Sequence, residues 1–322
     1  MIDFTIAIPT YNRPDLLKRT VLSLDKILEN NPISYEILIS DNSADNRSEE
    51  VIKDLQNEIK LKIDYHRNKN NLGFCRNILK LINQSTGKYV HIITDKTQLD
   101  YQYVEALNLI LTSNTNISFL NYEIFQEDTS DFSPSHSLPS SVFLDPSECL
   151  NTLTYKLTHL PSMVFKNEKA SDAISGINNL DEFYKREVPQ TALLFSILND
   201  SRKILYIKYP IVRPIGTASV KFNIVDVYCI EFFKQISQNQ NMFNLASRVN
   251  AYFRTSIWIC KTLISINQLY VIRFTQLFKR SNVFLLKNPF AILAILVNDL
   301  YSIIKISFFK LSGKRIVVKR FP

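Results

Sequence analysis

Residues 4–45 read FTIAIPTYNRPDLLKRTVLSLDKILENNPISYEILISDNSAD, and this run contains one complete β-α-β unit. FTIAIPT (4–10) is apolar and β-branched throughout, the pattern of a strand buried on both faces. Pro14 then opens a helix to Glu29 in which Leu16, Leu17, Val21, Leu24 and Ile27 recur with the 3.6-residue period. YEILISD (35–41) returns as a second strand. The same alternation continues: a helix over 48–59, KIDYHRN (62–68) as a strand, a helix over 74–84, KYVHIITD (88–95) as a strand, a helix over 101–111 and ISFLNYEIF (117–125) as a strand. Strands that alternate with amphipathic helices predict an α/β fold, a mainly parallel sheet with helices on both faces. Ligands of such sheets lie beyond the carboxyl ends of the strands.

Further along, EDTSDFSPSHSLPSS (127–141) reads as a surface loop. A helix near 146–153, a strand around 162–166, a helix over 189–198 and a strand over 204–209 follow. From about residue 220 the pattern becomes helical, long and basic. At roughly 150 residues per domain, 322 residues predict about two domains, placed at 1–215 and 216–322. Charge also divides the chain, at a later point: residues 243–322 hold 13 Lys and Arg against the single acid Asp299, whereas residues 1–242 carry a balance of −4. Hydrophobic and charged fractions of 46% and 21% exclude a disordered chain and a polytopic membrane protein. Cys75, Cys149, Cys229 and Cys260 show no paired spacing and His is scarce, so neither a zinc site nor a disulfide framework is encoded. A reducing compartment is expected. MIDFTIAIPTYN has no basic n-region and no cleavage site, which predicts a cytoplasmic protein.

Polar side chains gather at the strand ends: Thr10, Tyr11 and Asn12 after the first, Asp41 and Asn42 after the second, Asp95 after the fourth. Single Asx, Ser and Thr residues make turns and helix caps, as Asp15 and Ser48 are expected to do. Three strand ends together point to a site. The segments 6–24, 35–45 and 68–95, with the loop that follows, resemble in order and spacing the inverting glycosyltransferases of family 2. These have a GT-A fold, and the resemblance is nearest to the bacterial enzymes that build surface polysaccharides. It covers residues 1 to about 125 well and is absent beyond about 215.

The resemblance implies a nucleotide-sugar donor and a saccharide or lipid-linked glycan acceptor. It places Pro9, Thr10, Tyr11 and Asn12 in a wall of the nucleotide pocket and Asp41 on the base. Asn71, Gly73, Arg76 and Asn77 match a further stretch in which glycine permits close approach and Arg76 sits near phosphate or braces the pocket. Asp95 matches the first acid of the Asp-x-Asp motif that touches ribose and holds Mg²⁺ or Mn²⁺ on the diphosphate. Lys96 and Thr97 stand where the next two acids are expected, so a hard cation loses its main anionic ligands. Three readings follow: Lys96 serves as a fixed cation beside the diphosphate, Asp100 replaces the missing ligand, or turnover has been lost and a scaffold that binds nucleotide sugars remains. For the acceptor proton, a carboxylate is needed from Asp181, Glu182 and Glu187. Glu187, just ahead of a helix, is the expected base.

Between 243 and 281, Leu245, Val249, Tyr252, Phe253, Ile257, Leu263 and Leu269 interleave with Arg248, Arg254, Lys261, Arg273, Lys279 and Arg280. VFLLKNPFAILAILV (283–297) is apolar but falls short of the roughly 20 residues a membrane span needs. The expectation is amphipathic helices on the inner face of the cell membrane, with a helical subdomain or dimer interface as the alternative. Nucleic acid is not expected as a partner, because the cations sit within an apolar pattern and no nucleic-acid motif accompanies them. A nucleotidyltransferase-like enzyme is disfavoured, since no glycine-rich phosphate loop follows the first strand.

Overall fold

The computed structural model describes residues 2–29, 31–126, 131–215, 225–265, 270–271 and 319–320. The chain divides into two compact units, Met1–Cys149 with Leu157–Val220, and Leu150–Lys156 with Lys221–Pro322.

The first unit begins with β1 (Phe4–Thr10), α1 (Pro14–Leu28), β2 (Tyr35–Asp41), α2 (Arg47–Leu55), β3 (Ile63–Arg67), α3 (Phe74–Gln84) and β4 (Tyr89–Ile92). Every β1 residue is buried, as its uniform apolar run requires of a central strand. Phe4, Ile6 and Ile8 face one layer, where α1 presents Leu17, Val21, Leu24 and Leu28. Leu16 and Ile27 lie at the margins of that stripe, half-buried. On the other side α3 packs against β1 and β2 with Ile78, Leu81 and Ile82 buried. Helix starts differ from expectation. Arg13 and Asn46 occupy the N-cap positions of α1 and α2, Asp15 lies in the first turn of α1, and Ser48 is buried inside α2.

The second half of this unit runs β5 (Thr97–Leu99), α4 (Tyr103–Ser113), β6 (Ile117–Gln126), β7 (Asp131–Pro134), β8 (Val142–Leu144), α5 (Pro146–Leu153, passing into the second unit), β9 (Met163–Lys166), α6 (Asn167–Ser175), α7 (Leu180–Phe183), α8 (Pro189–Ser201) and β10 (Ile204–Pro214). The sheet order is β3-β2-β1-β4-β9-β6-β10-β5, with β7 paired to β6 and β8 to β10. It is parallel across β3-β2-β1-β4 and between β6 and β10. The short β9 is antiparallel to both its neighbours, as are β5 and β8 to β10. The stretch expected to be loop therefore contains β7, whose DFSP pairs with Glu123–Gln126 of β6. Strand β4 stops at Ile92, and a turn carries Asp95 and Lys96 before β5 begins. His91 is a core histidine. Its Nε2–H donates to the Pro161 carbonyl and its Nδ1 accepts from the Tyr103 hydroxyl, both at 2.8 Å. Burial lowers its pKa to about 4, so the ring stays neutral.

In the second unit a π-helical stretch, Val225–Phe232, leads into α9 (Phe233–Gln238) and α10 (Leu245–Ser265). The Asn244 side chain caps α10 by accepting from the Ser247 N–H at 2.8 Å. Tyr155 stacks on Trp258 at 4.2 Å, Tyr228 meets the same indole edge-on at 4.7 Å, and Phe233 meets Tyr252 at 4.9 Å. These aromatic contacts fix the rotation of α10. No helix among the described residues is long and apolar enough to cross a membrane. The apolar run 283–297, expected to be interfacial, lies outside the described residues.

Candidate active site

The carboxyl ends of β1, β2 and β4 are adjacent because their strands are adjacent, and one hydrogen-bonded chain joins their polar residues. Asp95, on the turn after β4, is 1% exposed. Its Oδ2 accepts from Thr10 Oγ1 at 2.8 Å, and its Oδ1 lies 2.9 Å from Arg13 Nη1. Burial raises the Asp95 pKa; Arg13, Thr10, the Tyr11 N–H and Lys96 each pull it back. Arg13 is tied to the turn by its Nε–H, which donates to the Tyr11 carbonyl at 3.4 Å, and the turn itself is possible because Asn12 adopts a left-handed φ of 54°.

At the neighbouring strand end the chain continues. The Asn12 N–H donates to Ser43 Oγ at 2.7 Å, and Ser43 in turn donates its hydroxyl and N–H to Asp41 Oδ1 at 2.5 and 2.7 Å. Asp41 Oδ2 accepts from the Tyr65 hydroxyl of β3 at 2.7 Å. Burial, followed by that bond, pushes the Tyr65 phenol well above its ordinary value. Asn42 donates its N–H to the Thr10 carbonyl at 3.0 Å. Its Oδ1 accepts from Asn68 Nδ2 at 2.9 Å, and Asn68 Oδ1 accepts from Lys80 Nζ at 2.5 Å. Asp41 is wholly buried, so its bonds brace this edge of the sheet.

The remaining predicted residues occupy three places. Asn71 Oδ1 accepts from the Gly73 N–H at 2.8 Å, closing the turn before α3, where Gly73 has φ 78°. Arg76 is exposed on α3, with its guanidinium 4.3 Å from the centre of the Tyr184 ring. It lines a cleft of about 480 Å³ with Leu72, Asp181, Tyr184 and Lys185. Glu187 is exposed on the turn between α7 and α8, one residue before the N-cap Val188, whereas Asp181 and Glu182 lie in the first turn of α7. Lys96 is half-buried beside Asp95, and its carbonyl accepts from the Ile215 N–H at 2.7 Å. The geometry thus joins Thr10, Tyr11, Asn12, Asp41 and Asp95 in one network. Arg76 stands apart from those bonds, on the Tyr184 ring.

A divalent cation fits this donor set poorly. Asp95 is already bonded through both oxygens, one of them to a guanidinium. Thr97 Oγ1 closes a turn with Thr94 Oγ1 at 2.8 Å and accepts from the Thr94 N–H. Asp100 Oδ1 accepts from the Gln102 N–H at 3.0 Å in the turn before α4. Among the described residues no group of three or more His, Cys, Asp or Glu side chains could hold a metal.

Arg13, Ser43, Tyr65 and Asn68 escape a reading of strand ends, because each reaches the cluster from a flanking turn or neighbouring strand. Another residue that such a reading misses is His159, stacked on Tyr122 with ring centroids 4.0 Å apart and bonded through Nδ1 to Ser162 Oγ at 2.8 Å. Burial, aided by the charge of Lys96, depresses its pKa to about 3, so the imidazole is neutral.

A family model described as glycosyl transferase family 2 matches residues 5–169. Abequosyltransferase RfbV of Salmonella typhimurium is 27% identical over 225 residues, which cover 65% of this chain and 65% of that protein, a little under two thirds of its length. Among solved structures, residues 1–349 of S. aureus TarS in complex with UDP align with a TM-score of 0.60 at 14% identity, covering 98% of this chain and 94% of that one. A Pyrobaculum calidifontis mannosyltransferase, PcManGT, in complex with GDP-Man and Mn²⁺, aligns with a TM-score of 0.55 at 10% identity, covering 94% of this chain and 86% of that one. The two structural likenesses establish a shared fold.

Proposed function

The chain belongs to glycosyl transferase family 2, and from that premise we propose that it transfers one sugar from a nucleotide-sugar donor to a saccharide acceptor, lipid-linked and destined for a surface polysaccharide. The observation that carries this reading is the pair of bonded clusters at adjacent strand ends, Asp95 with Thr10 and, two residues along the backbone, Asn12 through Ser43 to Asp41, with Arg13 and Lys96 beside Asp95.

In this reading Pro9 to Asn12 form the wall of the donor pocket and Asp95 accepts from the ribose. Asp41 holds the base side of the pocket in place, with Asn71 and Arg76 at its rim. An acceptor hydroxyl attacks the anomeric carbon as the bond to the diphosphate breaks, which inverts the configuration in one in-line displacement. The proton passes to a carboxylate, for which Glu187 is the candidate. The leaving diphosphate takes the bonding electron pair and develops negative charge. A fixed ammonium at Lys96 meets that charge without a proton transfer, and the donor set around Asp95 favours this arrangement over a divalent cation. RfbV, an abequosyltransferase, supports sugar transfer by likeness alone.

Donor hydrolysis and transfer, measured over a panel of nucleotide sugars with and without chelator, test this. The expected result is turnover that survives chelation and falls at least about a hundredfold in Lys96→Ala. Turnover abolished by chelator and restored by Mg²⁺ or Mn²⁺ would overturn the fixed-cation step. Tight nucleotide binding with no turnover for any donor would leave a scaffold in place of an enzyme.

A further inference from the structure

We propose that α10 lies along an anionic lipid surface through the face that carries Leu245, Val249, Phe253 and Ile257. These residues recur every fourth position and are 68%, 41%, 51% and 40% exposed. Ser247, Ala251, Thr255 and Ile259, also every fourth position, are buried. The two rows are offset by two residues, about 200° around a helix with 3.6 residues per turn, so they occupy opposite faces. The inward row carries two hydroxyls, an alanine and one isoleucine, whereas the outward row carries four large apolar side chains, more than an ordinary solvent face holds. The rotation is no accident of a loosely held helix, because Tyr252 on Phe233, and Trp258 between Tyr155 and Tyr228, hold it from the inner side.

Charge names the occupant. Arg248 and Arg254 flank the apolar row, one on each side, and α10 contains no acid. Each guanidinium is anchored through one nitrogen, Arg248 Nη1 to Gln240 Oε1 at 3.3 Å and Arg254 Nη1 to the Asn151 carbonyl at 3.0 Å. Arg248 is half-buried, with its Nε inside, and offers Nη2; Arg254 is exposed and offers the rest of its fork, and these donors are suited to phosphate oxygens. A second copy of this chain would bring two strongly basic segments together, since 243–322 holds 13 cations and one acid. Nucleic acid would answer the arginines but leave the apolar row uncovered. An anionic headgroup layer above acyl chains satisfies both at once. The inference rests on the function proposed above insofar as it supplies the surface where a lipid-linked acceptor is met.

Flotation of the full chain with vesicles tests it without any sugar donor or acceptor. Phosphatidylcholine vesicles alone are compared with vesicles that also contain about 30 mol% phosphatidylglycerol. The expected result is binding to the anionic vesicles, weakened by salt, with at least about a tenfold loss on neutral ones. The double variant Val249→Gln/Phe253→Gln should lose a similar factor while Trp258 emission stays unchanged. Should that variant misfold, Ala246→Glu, at an exposed position on the same face and in the first turn of α10, should produce the same loss without disturbing packing. The proposal is overturned if the unaltered chain ignores anionic vesicles, if the folded variants bind as it does, or if Ala246→Glu instead abolishes self-association. Vesicle binding without transfer for any donor would sink the catalytic reading and leave this one standing; transfer without vesicle binding would do the reverse.

Discussion

Burial and ion pairing pull the Asp95 carboxyl in opposite directions, and burial prevails. For an acid whose folded pKa is raised, the associated stability is fully present below the ordinary value of 3.8 and is lost as pH rises through the folded pKa. Asp95→Asn removes this dependence. The difference in unfolding free energy, native chain minus variant, should therefore fall as pH is raised from below 3.8, and urea titrations at a series of pH values measure it. A difference that rose with pH would mean that the Arg13 pair outweighs desolvation. The same variant should lose at least about a hundredfold in transfer under the proposed role of Asp95 as an acceptor for the donor ribose. Thr10 and Asp95 were legible in the sequence because strand ends are where a parallel sheet exposes its chemistry. Arg13 was not, because nothing in residue spacing announces that Asn12 turns left-handed and swings the next side chain back onto Asp95.

At the scale of elements, β1 and its two parallel neighbours leave almost no slack around Gly87, on the bend between α3 and β4. A Cβ there would stand 2.4 Å from the Thr5 nitrogen and 2.6 Å from the Phe4 carbonyl carbon, both backbone atoms of the central strand. The Gly87 N–H also donates to Thr5 Oγ1 at 2.9 Å. Gly87→Ala is expected to cost about 1–3 kcal/mol and to lower Tm by roughly 5 °C, read by differential scanning calorimetry. An unchanged Tm would mean that the bend relaxes freely. β1, β2 and α3 were readable to the residue, because a continuous apolar run or a 3.6-residue stripe fixes both the type and the limits of an element. β5, β7 and β8 were not. Each has three or four residues, too few for any period to emerge, and each is specified by the partner it pairs with.

For the molecule as a whole, the only tryptophan, Trp258, belongs to the second unit, and its emission reports the folding of that unit alone. Charge asymmetry sets residues 243–322 apart in the sequence. It could not reveal that Leu150–Lys156 is grouped with that part, since a seven-residue apolar and polar mixture has no signature of its own. Asn151 makes a 2.6 Å bond through its Oδ1 to Asn250 Nδ2, and its carbonyl accepts from Arg254, so the segment is tied into α10 at two points. A fragment comprising residues 1–215 is predicted to aggregate or to unfold at a lower temperature than the intact chain, as followed by light scattering on heating. A fragment as heat-resistant as the parent would show the tie to be dispensable.

The polypeptide thus leaves its first body, threads seven residues through its second, returns, and only later departs for good. Such a double stitch has a practical meaning for inheritance: the two bodies cannot be exchanged by recombination at one junction, so a new second body could be grafted onto the first only by replacing two separate stretches at once.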